Sequence, residues 1–203
     1  MLNDILNIAN MYAEGVKHVQ DRRAQWLEKH KELKDHLKEI ADHLNTNAAY
    51  KQGFFIDTLH AFNEDTNGTC ADMPSISFRS GEMPMLVTFR NSMGERKEYM
   101  EQGFHITFNP MITGQILVLL FPHYNDLNKT PPPYTTLAII DEPGELSTDA
   151  IDQLIIAGMN AAYYTSFTGI SEVPQENGQN DGKPPRQQYP IGFKRYETTE
   201  KVK

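Results

Sequence analysis

A heptad seam runs unbroken through the N-terminal part of this chain. Leu2, Ile5, Ala9, Tyr12, Val16, Val19, Arg23, Trp26, His30, Leu33, Leu37, Ile40 and Leu44 follow one another at alternating steps of three and four. This is the spacing of the a and d positions of a coiled coil, and only Arg23 and His30 interrupt its apolar character. No proline falls inside it, so the pattern predicts one helix of roughly 65 Å at 1.5 Å per residue. A small domain cannot cover so long a stripe, and part of it is expected to meet a partner subunit.

The charges around the seam are sorted. Asp4, Glu14, Asp21, Glu28, Glu32, Asp35, Glu39 and Asp42 all fall at outward c or f positions. The flanking e and g positions carry Gln20, Arg22, Lys29, Lys34, His36 and His43, and no acid. In a parallel two-stranded zipper Lys29 would face Lys34 of the other chain, where such coils place opposite charges. Arg23 and His30 would also stack on their own copies. A plain parallel zipper is therefore disfavoured, and the seam calls for an apolar surface edged with carboxylates, on another copy or on a different protein.

Such carboxylates occur further along. From Pro131 to Glu172 the chain has Asp141, Glu142, Glu145, Asp149, Asp152 and Glu172 but no Lys or Arg. The plain reading is that acidic strand and helix ends keep the protein soluble. The sharper one docks this stretch on the long helix, in cis or across a dimer.

The net charge of -8 and a pI near 5.3 argue against general affinity for nucleic acid or anionic membrane. Cys70 is the one cysteine, which rules out an internal disulfide and fits a reducing compartment. Met1–Asn10 has no basic start followed by an apolar core, so it does not read as a secretory signal. The longest apolar run, Ile116–Phe121, is far too short to span a bilayer. The expectation is a cytoplasmic protein, in which the glycosylation-like triplets at Asn67 and Asn128 carry no meaning.

The long helix should stop near Asn45-Thr46-Asn47, residues that favour caps over helix interiors. Tyr50, Phe54, Phe55, Leu59 and Phe62 then stand at helical spacing and predict a second, short helix. From Ser75 the period changes to two, in runs around Ile76–Phe78, Met85–Phe89 and Phe104–Phe108. Gly81-Glu82, Asn91–Gly94 and Asn109–Gly114 supply turn chemistry between them. Arg96–Gln102 reads as an extension of the strand around Phe104–Phe108, with Gly103 a bulge. Ile116–Phe121, apolar on both faces, should lie centrally with both faces covered. Tyr134–Ile140 completes a mainly antiparallel sheet of about five strands.

Ser147 then caps a helix whose positive end carries Asp149 and Asp152, and Leu146 can staple onto Ile151. Through Phe167 it is apolar nearly all round, which predicts burial on more than one side. The composition beyond predicts a disordered tail. The fold expected is α+β, with a long helix over 1–46, an α+β domain over 47–170 and a tail over 171–203.

The common catalytic and nucleotide-binding signatures are absent. Gly178–Lys183 has the wrong glycine spacing, and Pro184 after its lysine, for a phosphate loop. Glu32, His36, Glu39 and His43 lie within about 60° of one another on the helix surface and could reach one divalent ion such as zinc. The plainer account is a solvated face with Glu–His pairs at i, i+4. His105 is mid-strand, and His123, Asp126, Asp141 and Glu142 fall at or just after strand ends, where sites are often built. An antiparallel pairing of the last two strands would put His123 and Asp141 at opposite edges. Cys70 with His60 lacks the electropositive setting that activates a thiol.

Two classes of function remain. The first is an interaction or assembly protein that oligomerises, most simply with itself, through Val16, Val19, Arg23, Trp26, His30, Leu33, Leu37, Ile40 and Leu44. The second is a small-molecule binding or sensory domain with a pocket between the sheet and the Ile151–Phe167 helix. An enzyme is the least supported reading, and no cofactor is called for.

Overall fold

The computed structural model describes residues 2–59, 73–125 and 131–168. The heptad stretch is one continuous helix, α1, Leu2–Asn47. In its last turn the Ala48 N–H still reaches the Leu44 carbonyl at 2.8 Å, and two side chains bond back by one turn. Thr46 Oγ1 donates to the Asp42 carbonyl at 2.8 Å, and Asn47 Nδ2 to that of His43 at 2.9 Å. The helix therefore stops where the cap-forming triplet stands.

The segment expected as a second short helix is instead strand β1, Phe54–Leu59. Gly53 turns the chain at φ +79°, a conformation open to glycine. From there Phe54 enters the core, Phe55 faces the other way, and Ile56 packs back against the core. Aromatic and β-branched residues suit that pleated surface, and a six-residue antiparallel ladder with β2 (Ser75–Ser80) outweighs the helical spacing. Phe62 lies outside the described residues, as do His60, Cys70, Asp126 and the tail 171–203.

The remaining strands are β3 (Met83–Arg90), β4 (Arg96–Gln102), β5 (His105–Pro110), β6 (Ile116–Phe121), β7 (Tyr124–Asn125) and β8 (Thr135–Ile140). Among the described residues they form two sheets. One has five strands in the order β1-β2-β5-β6-β8, and the other has three in the order β3-β4-β7. Every pairing is antiparallel. The α+β class holds, but β3 and β4 leave the main sheet rather than belonging to it. The chain departs after Ser80 and returns after Gly103. At both corners backbones touch: a Cβ on Gly81 would lie 2.2 Å from the Gln52 carbonyl oxygen, and one on Gly103 2.0 Å from that of Ser80. Gly103 is thus a corner between sheets, not a bulge within one strand.

A 3-10 turn, Pro143–Glu145, leads into α2, Thr148–Tyr163. Ser147 caps α2, its hydroxyl accepting from the Ala150 N–H at 3.2 Å. Both Leu146 and Ile151 are buried beside it. Ile151, Leu154, Ile155, Gly158 and Ala162 form the buried stripe, whereas Ile156, Tyr163 and Tyr164 are exposed. The helix is covered on one side, not on several.

Both helices share one core with a single face of the large sheet. Trp26, Leu33 and Leu37 of α1 join Ile76, Phe78, Ile106, Phe108, Ile116, Val118 and Leu120, and α2 adds its own stripe. The helical segment 2–46 therefore belongs with the sheet to one unit, Met1–Ser171. Strand β6 is central, as expected, but only its Ile116, Val118 and Leu120 side is fully buried. Leu117 and Leu119 are half-buried and Phe121 is exposed. Among the described residues no helix is long and apolar enough to cross a membrane.

Candidate functional site

The long helix divides into two parts with opposite environments. From Trp26 onward its seam is core: Trp26, Leu33 and Leu37 have no exposed surface, His30 is buried, and Ile40 and Leu44 pack against the same cluster. Trp26 also donates its indole N–H to the Pro74 carbonyl at 3.0 Å, so its polar edge is satisfied. The seam residues expected at a subunit interface are thus, for this half, covered by the chain's own sheet and second helix.

Between His18 and Gln25 the helix is clamped to the body by polar contacts. Glu142 Oε1 receives Arg22 Nε at 2.9 Å and Nη2 at 2.8 Å, with His18 Nε2 3.2 Å away. The amide of Gly144 donates to the Gln25 side chain at 3.2 Å. On the β5–β6 hairpin, Arg23 Nη2 donates to the Ile112 carbonyl at 2.6 Å. Gly114 presses so closely on the helix that an added Cβ would be 2.6 Å from Arg22 Cβ. Further along, His36 Nε2 meets Asp152 Oδ1 on α2 at 2.7 Å. Two residues of the basic flank, Arg22 and His36, therefore meet carboxylates of the Pro131–Glu172 stretch in cis.

Past this clamp the helix leaves the body. Every residue from Leu2 to His18 is exposed, which leaves an arm of about 24 Å over residues 2–17 at 1.5 Å per residue. Its seam is bare: Leu2 is 83%, Ile5 57%, Tyr12 75% and Val16 59% exposed. Leu6 and Ile8 widen the same face. An isolated helix of this length would be marginal, but here it extends one already nucleated by the buried half. Exposed apolar residues at regular helical spacing over four turns are unusual on a monomer surface.

The four metal candidates do not converge. Glu32 pairs with Lys29 at 2.6 Å, His36 with Asp152, and His43 Nδ1 lies 3.3 Å from Asn47 Nδ2. Only His36 and Glu39 approach each other, at 4.0 Å. Among the described residues no group of three or more His, Cys, Asp or Glu is arranged to hold a metal. His123 and Asp141 fall at opposite ends of the β6–β8 ladder, and Asp141 instead accepts from Gln115 Nε2 at 2.6 Å.

One polar cluster escaped the sequence reading. Glu101 in β4 is buried and accepts from Ser166 Oγ at 2.7 Å and from the Phe167 amide at 2.9 Å. His123 Nδ1 sits 3.5 Å from the same carboxylate and 3.2 Å from the Gln102 carbonyl. Burial outweighs these two acceptors and holds His123 below the ordinary histidine value. The serine hydroxyl is bonded to the carboxylate rather than to the imidazole, so the set is not ordered as a nucleophile with its base. It fastens the end of α2 to the second sheet. A lone Glu near a strand end gives no sign of a partner 65 residues away.

Comparison with protein-family models, with curated proteins and with solved structures finds no match to this chain.

Proposed function

We propose that this is an assembly protein whose projecting arm, residues 2–17 of α1, pairs with the arm of a second copy. The observation that carries the reading is the exposed stripe Leu2, Ile5, Ala9, Tyr12 and Val16 beyond the last contact with the body. The like-charge objection to self-pairing concerns Lys29 and Lys34, which belong to the half that packs in cis. In the arm the flanking e and g positions are Leu6, Ile8, Ala13 and Gly15, so a second copy meets no charge there. An antiparallel pairing sets Ile5 against Val16 and small Ala9 against large Tyr12. It also keeps the two acidic bodies at opposite ends, separated by more than the Debye length of about 8 Å.

A lipid surface suits the arm less well. Its polar face carries Asn3, Asp4, Asn7, Asn10 and Glu14 with one lysine, Lys17, whereas interfacial helices are rich in cations. A ligand pocket between sheet and α2 is also less supported. A Cβ on Gly158 would fall 2.4 Å from Ile106 Cδ1 and 3.2 Å from Leu137 Cδ1, so helix and strands meet there in direct contact. The single cysteine fits a reducing, cytoplasmic setting.

Light scattering on the eluting protein tests the reading. At micromolar concentration the parent should show at least twice the chain mass of 23.2 kDa. Ile5→Asp with Tyr12→Asp should return the single-chain mass with unchanged circular dichroism and melting temperature. A parent that stays at the single-chain mass would overturn the proposal.

A further inference from the structure

The bare and the buried parts of α1 share one seam. A straight helix turns such a seam by only about 20° per heptad, so both parts point in nearly the same direction. From Trp26 onward that direction is occupied by the chain's own sheet. The body therefore lies on the side toward which the arm's stripe points, just past the arm's end. A second helix laid parallel on the stripe would carry its own body into the same space. Laid antiparallel, it runs with its first turn toward the first body.

What that first turn meets depends on register. With Ala9 opposite Tyr12, the flanking positions also match large with small: Leu6 comes beside Ala13 and Ile8 beside Gly15. A Cβ on Gly15 would meet no heavy atom of a described residue within 4 Å, so room is left there for the isoleucine. The same register carries Leu2 of the second copy to the level of Val19. At that level the β5–β6 turn rests on the helix. A Cβ on Gly114 would be 3.2 Å from the Val19 carbonyl oxygen, and Arg23 reaches across to the Ile112 carbonyl. The turn is held firmly: Gly114 N–H donates to the Met111 carbonyl at 2.9 Å, Met111 N–H to that of Gln115 at 2.8 Å, and Gln115 is tied to Asp141. Turn positions favour Gly, Asn, Asp, Ser and Pro, yet this one carries Ile112, 81% exposed.

We propose that Ile112 belongs to the self-association surface: it receives Leu2 of the second copy, and the β5–β6 turn acts as the end-stop that sets the register of the paired arms. The inference rests on the arm-pairing reading and adds a contact between arm and body to it. Coiled coils are usually sustained over at least three heptads, and the bare seam from Leu2 to Val16 holds only about two. Contact with the body supplies the apolar area that so short a pair lacks. Twofold symmetry repeats it at the other end, so each dimer has two such contacts.

Sedimentation equilibrium on the full chain gives the dimer dissociation constant and tests the inference. Ile112→Asp should raise that constant at least about tenfold, because it places a charge in both contacts. Met93→Asp changes an equally bare residue, 76% exposed at the turn of the other hairpin, and should leave the constant within about twofold. Leu2→Ala and Ile112→Ala should each weaken pairing, and the double variant should weaken it by less than the product of the two, as residues in contact do. Both positions are exposed, so circular dichroism should match the parent; the alanine set carries the test should the aspartate variant fail to fold. A parent at the single-chain mass would overturn the arm-pairing reading and this inference with it. A paired parent indifferent to Ile112→Asp, equally sensitive to Met93→Asp, or showing independent effects at Leu2 and Ile112 would overturn this inference alone.

Discussion

The side chain of Asn45 bonds in both directions to the backbone of Phe54. Its Oδ1 accepts the Phe54 N–H at 2.7 Å, and its Nδ2 donates to the Phe54 carbonyl at 2.9 Å. An amide in the last turn of α1 thus stands in for a neighbouring strand at the start of β1, on the side away from β2. The end of the helix positions the first strand of the sheet.

Asn45→Ala should leave both Phe54 groups without a partner in a partly buried place. Each such group costs about 1–3 kcal/mol. Asn45→Asp keeps the acceptor and loses the donor, so it should fall between alanine and the parent. Urea unfolding of the three proteins checks the order, and an alanine variant as stable as the parent would show that water replaces the amide at no cost.

The two parts of α1 should respond differently to truncation. In the Ile5→Asp/Tyr12→Asp background, where pairing of arms adds nothing, Leu33→Ala should cost about 2–5 kcal/mol by emptying a fully buried position. Val16→Ala in the same background should stay within about 0.5 kcal/mol, as exposed substitutions do. Chemical denaturation measures both. A large loss at Val16 would mean that the arm packs on its own body.

Stability should decline on both sides of neutrality, for opposite reasons. His123 and His105 are both held below 6.5 in the folded state, so the unfolded chain binds more protons over that interval. Their contribution is fully present above pH 6.5 and is lost as pH falls toward the folded values. Tyr50 is raised above 10.0, by burial first and then by the Glu101 charge, against a lowering hydrogen bond with Ser80. Its contribution is present below pH 10 and is lost as pH rises beyond it. His123→Gln should flatten the acid limb and Tyr50→Phe the alkaline one in unfolding free energies measured against pH. An unchanged slope in either variant would assign that limb to other groups.

Leu86 occupies the left-handed region, φ 60°, with 84% of its surface exposed. It stands where the β3–β4 register slips between Pro84 and Thr88. A non-glycine residue there carries roughly 1–2 kcal/mol of strain, and the added entropy of a glycine takes back about 0.5–1 kcal/mol. Leu86→Gly should therefore stabilise by about 0.5–1 kcal/mol, or roughly 1–4 °C in melting temperature at this size. A scanning calorimeter resolves that shift, and a lower melting temperature would mean that the leucine side chain contributes more than its exposure implies.

Much of the secondary structure was legible because it is encoded locally. An unbroken 3-4 spacing without proline makes α1 helical wherever it packs. Ser147 before an acidic first turn marks the start of α2. Asn91–Gly94 and Met111–Gly114 close hairpins because Gly94 and Gly114 take the positive φ their turns require. Basic flanks on the seam foretold carboxylate partners, and Glu142 and Asp152 are those partners. The tertiary structure alone decided three matters. Residues 54–59 became a strand because β2 and Asn45 offer hydrogen bonds that no local helix tendency could match. Strands β3 and β4 left the main sheet because the backbones meet at Gly81 and Gly103, which the spacing of apolar residues does not encode. The seam was divided at Trp26 because the sheet reaches only so far along the helix. Periodicity states that a face is apolar, and only the extent of the packed body states where that face remains bare.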